Sequence, residues 1–170
     1  MTGSLPCGAD IIRTADICDD FANELRVCDL ALNDYAGRNH FHGEAVTFDT
    51  YEDNQGIREV LARGGTGKIL VIDGRGSQRR ALCGGDIAAE ALKHGWAGII
   101  INGCIRDSHE VAVLDFGVKA VGTTAMRPHM EGIGRVGVEI YMGGITIHSG
   151  DYIYADQDAV LVLSRPVHDL

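Results

Sequence analysis

The stretch GGDIAAEALKHGWAGIIINGCIRDSHE, residues 84–110, decides how this chain is read. After the pair Gly84-Gly85, Ile87, Ala88, Ala91 and Leu92 recur at helical spacing while Asp86, Glu90 and Lys93 fall on the opposite face, which predicts a helix over residues 85–94. Gly95 stops it. Residues 97–101 are apolar, without alternation and rich in β-branched side chains, the pattern of a strand covered on both faces of an α/β sheet. Asn102-Gly103 reads as a turn at the carboxyl end of that strand. Open α/β sheets place their ligand crevice at such ends, so Arg106 and Asp107 are expected to emerge into one.

Each residue type there has a physical job. The start of a helix leaves backbone N–H groups unpaired and carries partial positive charge, so Gly84, Gly85, Asp86 and Ile87 can hold a carboxylate on their backbone. Arg106 adds a planar fork that matches a carboxylate or an enolate with two charge-assisted hydrogen bonds. Asp107 is a hard oxygen ligand suited to Mg²⁺ or Mn²⁺, which keep several waters and take one or two protein carboxylates. Glu110 lies three residues further on. On a first helical turn the two carboxylates would share a face, where Glu110 could orient a metal-bound water or move a proton. Singly, these residues have plainer readings: a turn for the glycine pair, an exposed ion pair for Arg106-Asp107, a solvated first-turn acid for Glu110. Their combination at this spacing points to a pocket.

The residue inventory narrows the chemistry. Breaking a carbon–carbon bond next to a carbonyl needs an electron sink, supplied by a lysine imine or by a metal. Of the three lysines, Lys68 opens an expected strand, Lys93 lies on a polar helix face and Lys119 falls in a charged break. None reads as the desolvated amine an imine requires, so metal catalysis fits better.

Composition sets outer limits. With 170 residues and 45% hydrophobic content, the chain is expected to be one domain, residues 1–170, with a substantial core. Seven scattered histidines, 6% aromatic content and a formal net charge of −9 offer neither stacking platform nor basic patch. Direct nucleic-acid binding is therefore not expected, while basic protein partners remain open. Cys7, Cys18, Cys28, Cys83 and Cys104 are odd in number and include no C-x2-C pair. Without a signal peptide or a long apolar run, they imply reduced thiols in a soluble, cytoplasmic protein that does not engage a membrane. Cys83 and Cys104 flank the expected pocket and read as small buried residues, not nucleophiles.

No linker, low-complexity tract or repeat interrupts the rest. Thr14 is placed to cap a helix whose inward face is Ile17, Phe21 and Leu25. Residues 43–50 alternate as a strand after the turn-rich residues 33–39, residues 54–63 are helical, and residues 69–72 form a second buried strand. Beyond Glu110, short strands around residues 119–121, 136–140, 144–147 and 159–163 follow one another with glycine turns. An α/β sandwich of mixed sheets with outer helices results. Three look-alikes fail. Gly64-Gly65-Thr66-Gly67-Lys68 has Ile69 where a phosphate loop needs Ser or Thr, and Arg79 takes the third glycine's place after Gly74-Arg75-Gly76. His40 and His42 read as a polar loop between helix and strand, and Arg79 and Arg80 as surface or subunit contacts.

The chain resembles the regulator of ribonuclease activity A (RraA) family, which includes the class II 4-hydroxy-4-methyl-2-oxoglutarate aldolases. Gly85, twenty intervening residues, then Arg106-Asp107-Ser108-His109-Glu110 match the pattern G-x20-R-D-x2-E/D of the aldolase-competent members. Thr14-Ala15-Asp16, Glu52-Asp53-Asn54, Val71-Ile72-Asp73-Gly74, Gly95-Trp96-Ala97-Gly98, Gly143-Gly144-Ile145-Thr146 and Gly150-Asp151-Tyr152 also look like family segments in family order. The resemblance implies the swivelling β/β/α fold and a divalent-metal-dependent lyase. That lyase would cleave 4-hydroxy-4-methyl-2-oxoglutarate to pyruvate and decarboxylate oxaloacetate, both through a pyruvate enolate. Gly84, Gly85, Asp86, Ile87 and Arg106 would bind the pyruvate end, and Asp107 the metal. The better-studied aldolases carry Asp where this chain has Gly85, and in members with glycine there the acid at position 110 takes over, which makes Glu110 catalytic with Arg106 and Asp107. The resemblance also implies a homotrimer, sometimes paired into hexamers, with the pocket near a subunit boundary. Residues 164–170 would be a reasonable subunit contact. The competing class is a non-catalytic regulator that binds a ribonuclease of the RNase E type or a helicase.

Overall fold

The computed structural model describes residues 11–168, so Cys7 and the last two residues of the expected contact segment, Asp169 and Leu170, lie outside the described residues. In chain order these form α1 (Thr14–Phe21), β1 (Arg26–Val27), β2 (Asn33–Asp34), β3 (Phe41–Asp49), α2 (Gln55–Ala62), β4 (Lys68–Asp73), β5 (Ala81–Cys83), α3 (Gly85–Lys93), β6 (Gly98–Ile105), α4 (Ser108–Val111), β7 (Gly117–Thr123), β8 (Arg135–Val136), β9 (Ile140–Met142), β10 (Ile145–Ile147), β11 (Tyr152–Ala155) and β12 (Val160–Leu163). Ten strands make one mixed sheet ordered β1-β12-β11-β3-β4-β6-β7-β2, with β5 beside β6 and β8 beside β3. β9 and β10 form a separate ribbon, turned at Gly143 and Gly144 with φ of 59° and 76°, values that suit glycine.

β3, β4, β6 and β7 run parallel, and the sequence shows why. β4 and β6 carry almost no polar alternation because both of their faces are covered. Ile57 and Leu61 of α2, with Ile87, Ala88 and Ala91 of α3, join Leu70, Ile72, Ile99 and Ile101 in one core. Ile69, Val71 and Ile100 belong to a second, closed by Met142 and Ile147 of the ribbon and by Ile153 and Val162. The sheet is thus sandwiched between helices and strands, the architecture expected from the periodicity.

Several local expectations are corrected. Asn102-Gly103 is not a turn: β6 runs on to Ile105, and Asn102 Nδ2 donates to Asp73 Oδ1 at 3.0 Å across the paired strands. Thr14 is the first residue of α1 instead of its cap, and its hydroxyl and N–H donate to Asp156 at 2.7 and 2.8 Å. Residues 136–140 divide into β8 and β9 about Gly137, at φ 77°. His42 lies within β3, with Nδ1 2.8 Å from Tyr152 Oη. Lys119 is not in a break. It sits in β7, 3% exposed, with Nζ 2.8 Å from Asp34 Oδ1 on the paired β2, an ionic contact outside hydrogen-bond geometry. This buried amine shares no cleft with Arg106 or Asp107, so the imine route gains nothing from it.

Candidate active site

Two strand ends build the site. β5 leads directly into α3 and β6 into α4, and the two strands are parallel neighbours with Cys83 opposite Ile105. Both strand-to-helix junctions therefore open at the same carboxyl edge of the sheet. The Arg106 N–H donates to the Cys83 carbonyl at 2.9 Å and joins them. Gly84 precedes α3 in extended conformation, and the Ala88 N–H makes the first helical bond, to the Gly84 carbonyl at 3.0 Å. The N–H groups of Gly85, Asp86 and Ile87 consequently have no helical acceptor.

Missing side chains bring the acids and the arginine to this helix start. A Cβ on Gly84 would stand 2.9 Å from Asp107 Oδ2 and 3.4 Å from Arg106 Cγ. A Cβ on Gly85 would overlap Glu110 Oε2 and stand 3.0 Å from Glu110 Cβ. Asp107 takes a left-handed backbone, φ 53° and ψ 40°, strained for a residue other than glycine. Its carbonyl accepts from the N–H groups of Glu110 and Val111 and so starts α4. The expectation that Asp107 and Glu110 share a helical face is corrected accordingly: Asp107 stands outside the helix and is set against Gly84, while Glu110 is set against Gly85.

The cleft so formed holds about 170 Å³. Gly84, Asp86, Ile87, Arg106 and Asp107 line it together with Asn54, Arg58, Ala81, Cys83, Arg127, Pro128 and Met130, whereas Gly85 and Glu110 stand on its flank. Pockets for drug-sized ligands run to about 300–1,000 Å³, so this one suits a small acid. A larger cleft of about 490 Å³ lies along Arg38, His40, His42 and Asp115. No three His, Cys, Asp or Glu side chains converge on a metal-sized point anywhere among the described residues. Arg106 Nε is 3.8 Å from Asp107 Oδ2 and both side chains are about two-fifths exposed, a loose pair that leaves each free to engage a ligand.

Asp107 fits a divalent ion. Its carboxylate borders the cleft, and a single protein carboxylate completed by waters and ligand oxygens is a usual Mg²⁺ environment. Cys83 fits no catalytic role: burial pushes its thiol up to about 12, against the pull of Arg58 and with the push of Asp107, and Sγ donates weakly to the Gly84 carbonyl. Burial raises the Cys104 thiol too, and the described cysteines are all free.

The far wall was not legible from the sequence. Glu52 accepts hydrogen bonds from Arg79 Nε and Ser77 Oγ, each at 2.7 Å, and these hold its carboxyl below the ordinary range. Its own carbonyl accepts from the His129 N–H at 2.7 Å, and the Asp53 carboxylate accepts from the N–H groups of Glu131 and Gly132. The segment carrying Arg127, Pro128 and Met130 is thereby tied to Asn54 and α2 across the cleft. Arg79 stays on Glu52, and Arg80 donates to the Arg127 carbonyl at 2.8 Å, so both serve as supports behind the wall.

A family model described as RraA-like, Aldolase/RraA, matches residues 14–162, a span that contains the whole cleft. The chain belongs to the RraA-like family. A protein of Alkalilimnicola ehrlichii provisionally named 4-hydroxy-4-methyl-2-oxoglutarate aldolase is 46% identical over 89% of this chain and 94% of its own length. One of the same provisional name from Dechloromonas aromatica is 44% identical over 90% and 96%. Among solved structures, the RNA-processing inhibitor RraA of Thermus thermophilus superposes with a TM-score of 0.90 at 33% identity, covering 94% of this chain and 96% of that one. A Geobacillus kaustophilus protein solved under the name S-adenosylmethionine:2-dimethylmenaquinone methyltransferase does so at 0.91 and 43% identity, covering 92% and 97%. Members of the RraA-like family thus carry lyase, regulator and methyltransferase names on one fold, and the site must choose among them.

Proposed function

We propose that this RraA-like protein is a divalent-metal-dependent lyase that cleaves 4-hydroxy-4-methyl-2-oxoglutarate to pyruvate and decarboxylates oxaloacetate. The observation that carries this reading is the meeting of Arg106 and Asp107 over the unpaired N–H groups that open α3. The carboxylate of a 2-oxo acid would rest on those N–H groups, with Gly84 admitting it closely. Asp107 would seat the Mg²⁺ or Mn²⁺ ion, which when bound supplies a Lewis acid for the 2-oxo oxygen. Arg106 faces the same oxygen and stabilises the charge that gathers there as the C3–C4 bond breaks, more in the transition state than before it. Glu110, on the flank against Gly85, takes the proton from the 4-hydroxyl of the hydroxy acid, directly or through a water, and that proton returns to C3 of the enolate to release pyruvate.

Incubated with either substrate and Mg²⁺, the purified protein is expected to release pyruvate, and EDTA or Asp107→Ala should abolish the release. A rate equal to that of Mg²⁺ alone in buffer rejects the reading. The methyltransferase name of the Geobacillus relative finds no support in a cleft of about 170 Å³, which is small for a nucleoside cofactor plus a quinone.

Two further expectations belong to this reading. We place the protein in the cytoplasm as a homotrimer or hexamer: Met126, Met130 and Ile133, all more than half exposed, follow one another along the far wall and would be covered by a second copy. The regulator reading is favoured by one observation, the net charge of −9, which would attract an arginine-rich segment of a ribonuclease or helicase. Binding of such a partner should survive Asp107→Ala.

A further inference from the structure

The cleft of Arg106 and Asp107 does not end at the start of α3. A groove of about 280 Å³ opens beside it between α2 and α3, lined by Arg58, Leu61 and Ala62 from the first helix and by Asp86, Ile87 and Glu90 from the second. Arg58, Asp86 and Ile87 line cleft and groove alike, so a ligand that begins on the N–H groups of α3 has a continuous path from one into the other. The cleft alone, at about 170 Å³, is filled by a small acid. The groove adds room for a longer one.

Its walls say what the added part would be. Leu61, Ala62 and Ile87 bring apolar side chains, while the polar ones set two carboxylates, Asp86 and Glu90, against the single guanidinium of Arg58. A second anionic group gains little from such a rim, whereas an uncharged alkyl chain has no polar group to desolvate there. The walls are held from below. Leu61 packs with Ile87 in one core, and Trp96 Nε1 donates to the Leu61 carbonyl at 3.1 Å, which fixes the end of α2. Ala62, exposed in the last position of that helix, leaves the groove open because its side chain is a single methyl.

We infer that this groove receives an uncharged alkyl chain carried beyond C3 of the 2-oxo acid, so that the protein accepts substrates whose C4 substituent is much longer than methyl. The inference rests on the reading of the cleft as a 2-oxo acid site and extends its substrate class to long-chain 4-hydroxy-4-alkyl acids. Cleavage of such an acid balances as it does for the methyl compound. The C3–C4 bond breaks, its electron pair passes to the pyruvate enolate, the 4-hydroxyl loses its proton as C4 becomes a carbonyl, and a proton returns to C3. The products are pyruvate and a long-chain 2-oxo acid.

The test uses the full chain with Mg²⁺ and two acids that lack a 4-hydroxyl and so cannot be cleaved, 2-oxobutanoate and 2-oxooctanoate, titrated calorimetrically. Burying about half of the roughly four additional methylene groups should make the wild type bind 2-oxooctanoate about tenfold more tightly. Ala62→Trp, which fills the groove, and Ala62→Asp, which charges it, should each bring the ratio below about threefold. Equal affinities in the wild type, or a tenfold ratio that survives both substitutions, overturns the inference. Pyruvate release from 4-hydroxy-4-methyl-2-oxoglutarate and from its 4-pentyl analogue judges the lyase reading separately. Release from the methyl compound without any chain-length preference in binding rejects the groove alone, a preference that depends on Ala62 without release from either compound rejects the lyase alone, and no binding of either acid rejects both.

Discussion

Asp107 carries most of the argument at the scale of single residues. Its backbone stands at φ 53°, where Asn is tolerated nearly as well as Asp, so Asp107→Asn isolates the charge from the geometry. This variant should unfold within about 0.5 kcal/mol of the wild type yet lose about 100-fold or more of its metal-dependent pyruvate release, as read by urea titration and steady-state kinetics. Gly85 gives the complementary test. A Cβ there overlaps Glu110 Oε2, and because the Glu110 side chain is about half exposed it can swing away without unfolding the protein. Gly85→Ala should therefore fold but lower kcat, and adding Gly85→Ala to Glu110→Ala should cost nothing more. Additive losses in that double-mutant cycle would mean that Gly85 serves some purpose other than admitting the glutamate.

Among elements, α1 is fastened by one acid from the other end of the chain. Burial pushes the Asp156 carboxyl up, but hydrogen bonds from the Thr14 N–H and hydroxyl and from the Asp158 and Ala159 N–H groups together outweigh it and hold the group below the ordinary carboxylate range. A carboxyl depressed in the folded state stabilises fully above its unfolded pKa and loses that contribution as pH falls through the folded one. Asp156→Asn should accordingly cost about 1–3 kcal/mol at neutral pH, with the gap to the wild type closing in acid, measurable by urea unfolding across pH. A constant gap at every pH would show that the charge is irrelevant.

The elements also show what the sequence could disclose. Helix α3 was legible because nine residues suffice to display a period, and β6 was legible in part from the unbroken apolar run of residues 97–101, its last residues having been read as a turn. Three-residue β5 is too short for any pattern, although it delivers Gly84 to the site. Tertiary pairing overrode local signals elsewhere: Asn102 found Asp73 and stayed in a strand, and Lys119 found Asp34 and was drawn inside. Asn54, Arg58 and Arg127 were missed because nothing in their own surroundings marks them. Arg127 reaches the cleft through the anchorage of residues 129–132 on Glu52 and Asp53, while Asn54 and Arg58 come to it from the cap and the first turns of α2.

At the scale of the whole molecule, three exposed apolar side chains on the segment that borders the cleft of Arg106 and Asp107 predict an assembly. Sedimentation should find trimers or hexamers, and Met126→Asp with Ile133→Asp should shift them to monomers. A wild type that sediments as a monomer at micromolar concentration removes the trimer from the proposal without touching the chemistry of Asp107. The account as a whole stands on one arrangement, an ion on Asp107 and a 2-oxo acid between Arg106 and the start of α3. A crystal structure of the protein soaked with Mg²⁺ and pyruvate tests it most directly. The predicted map has the ion about 2.1 Å from an Asp107 oxygen, with the pyruvate carboxylate on the N–H groups of α3 and its 2-oxo oxygen facing Arg106. Pyruvate bound elsewhere, with the Asp107 carboxylate bare and turned to solvent, would contradict it.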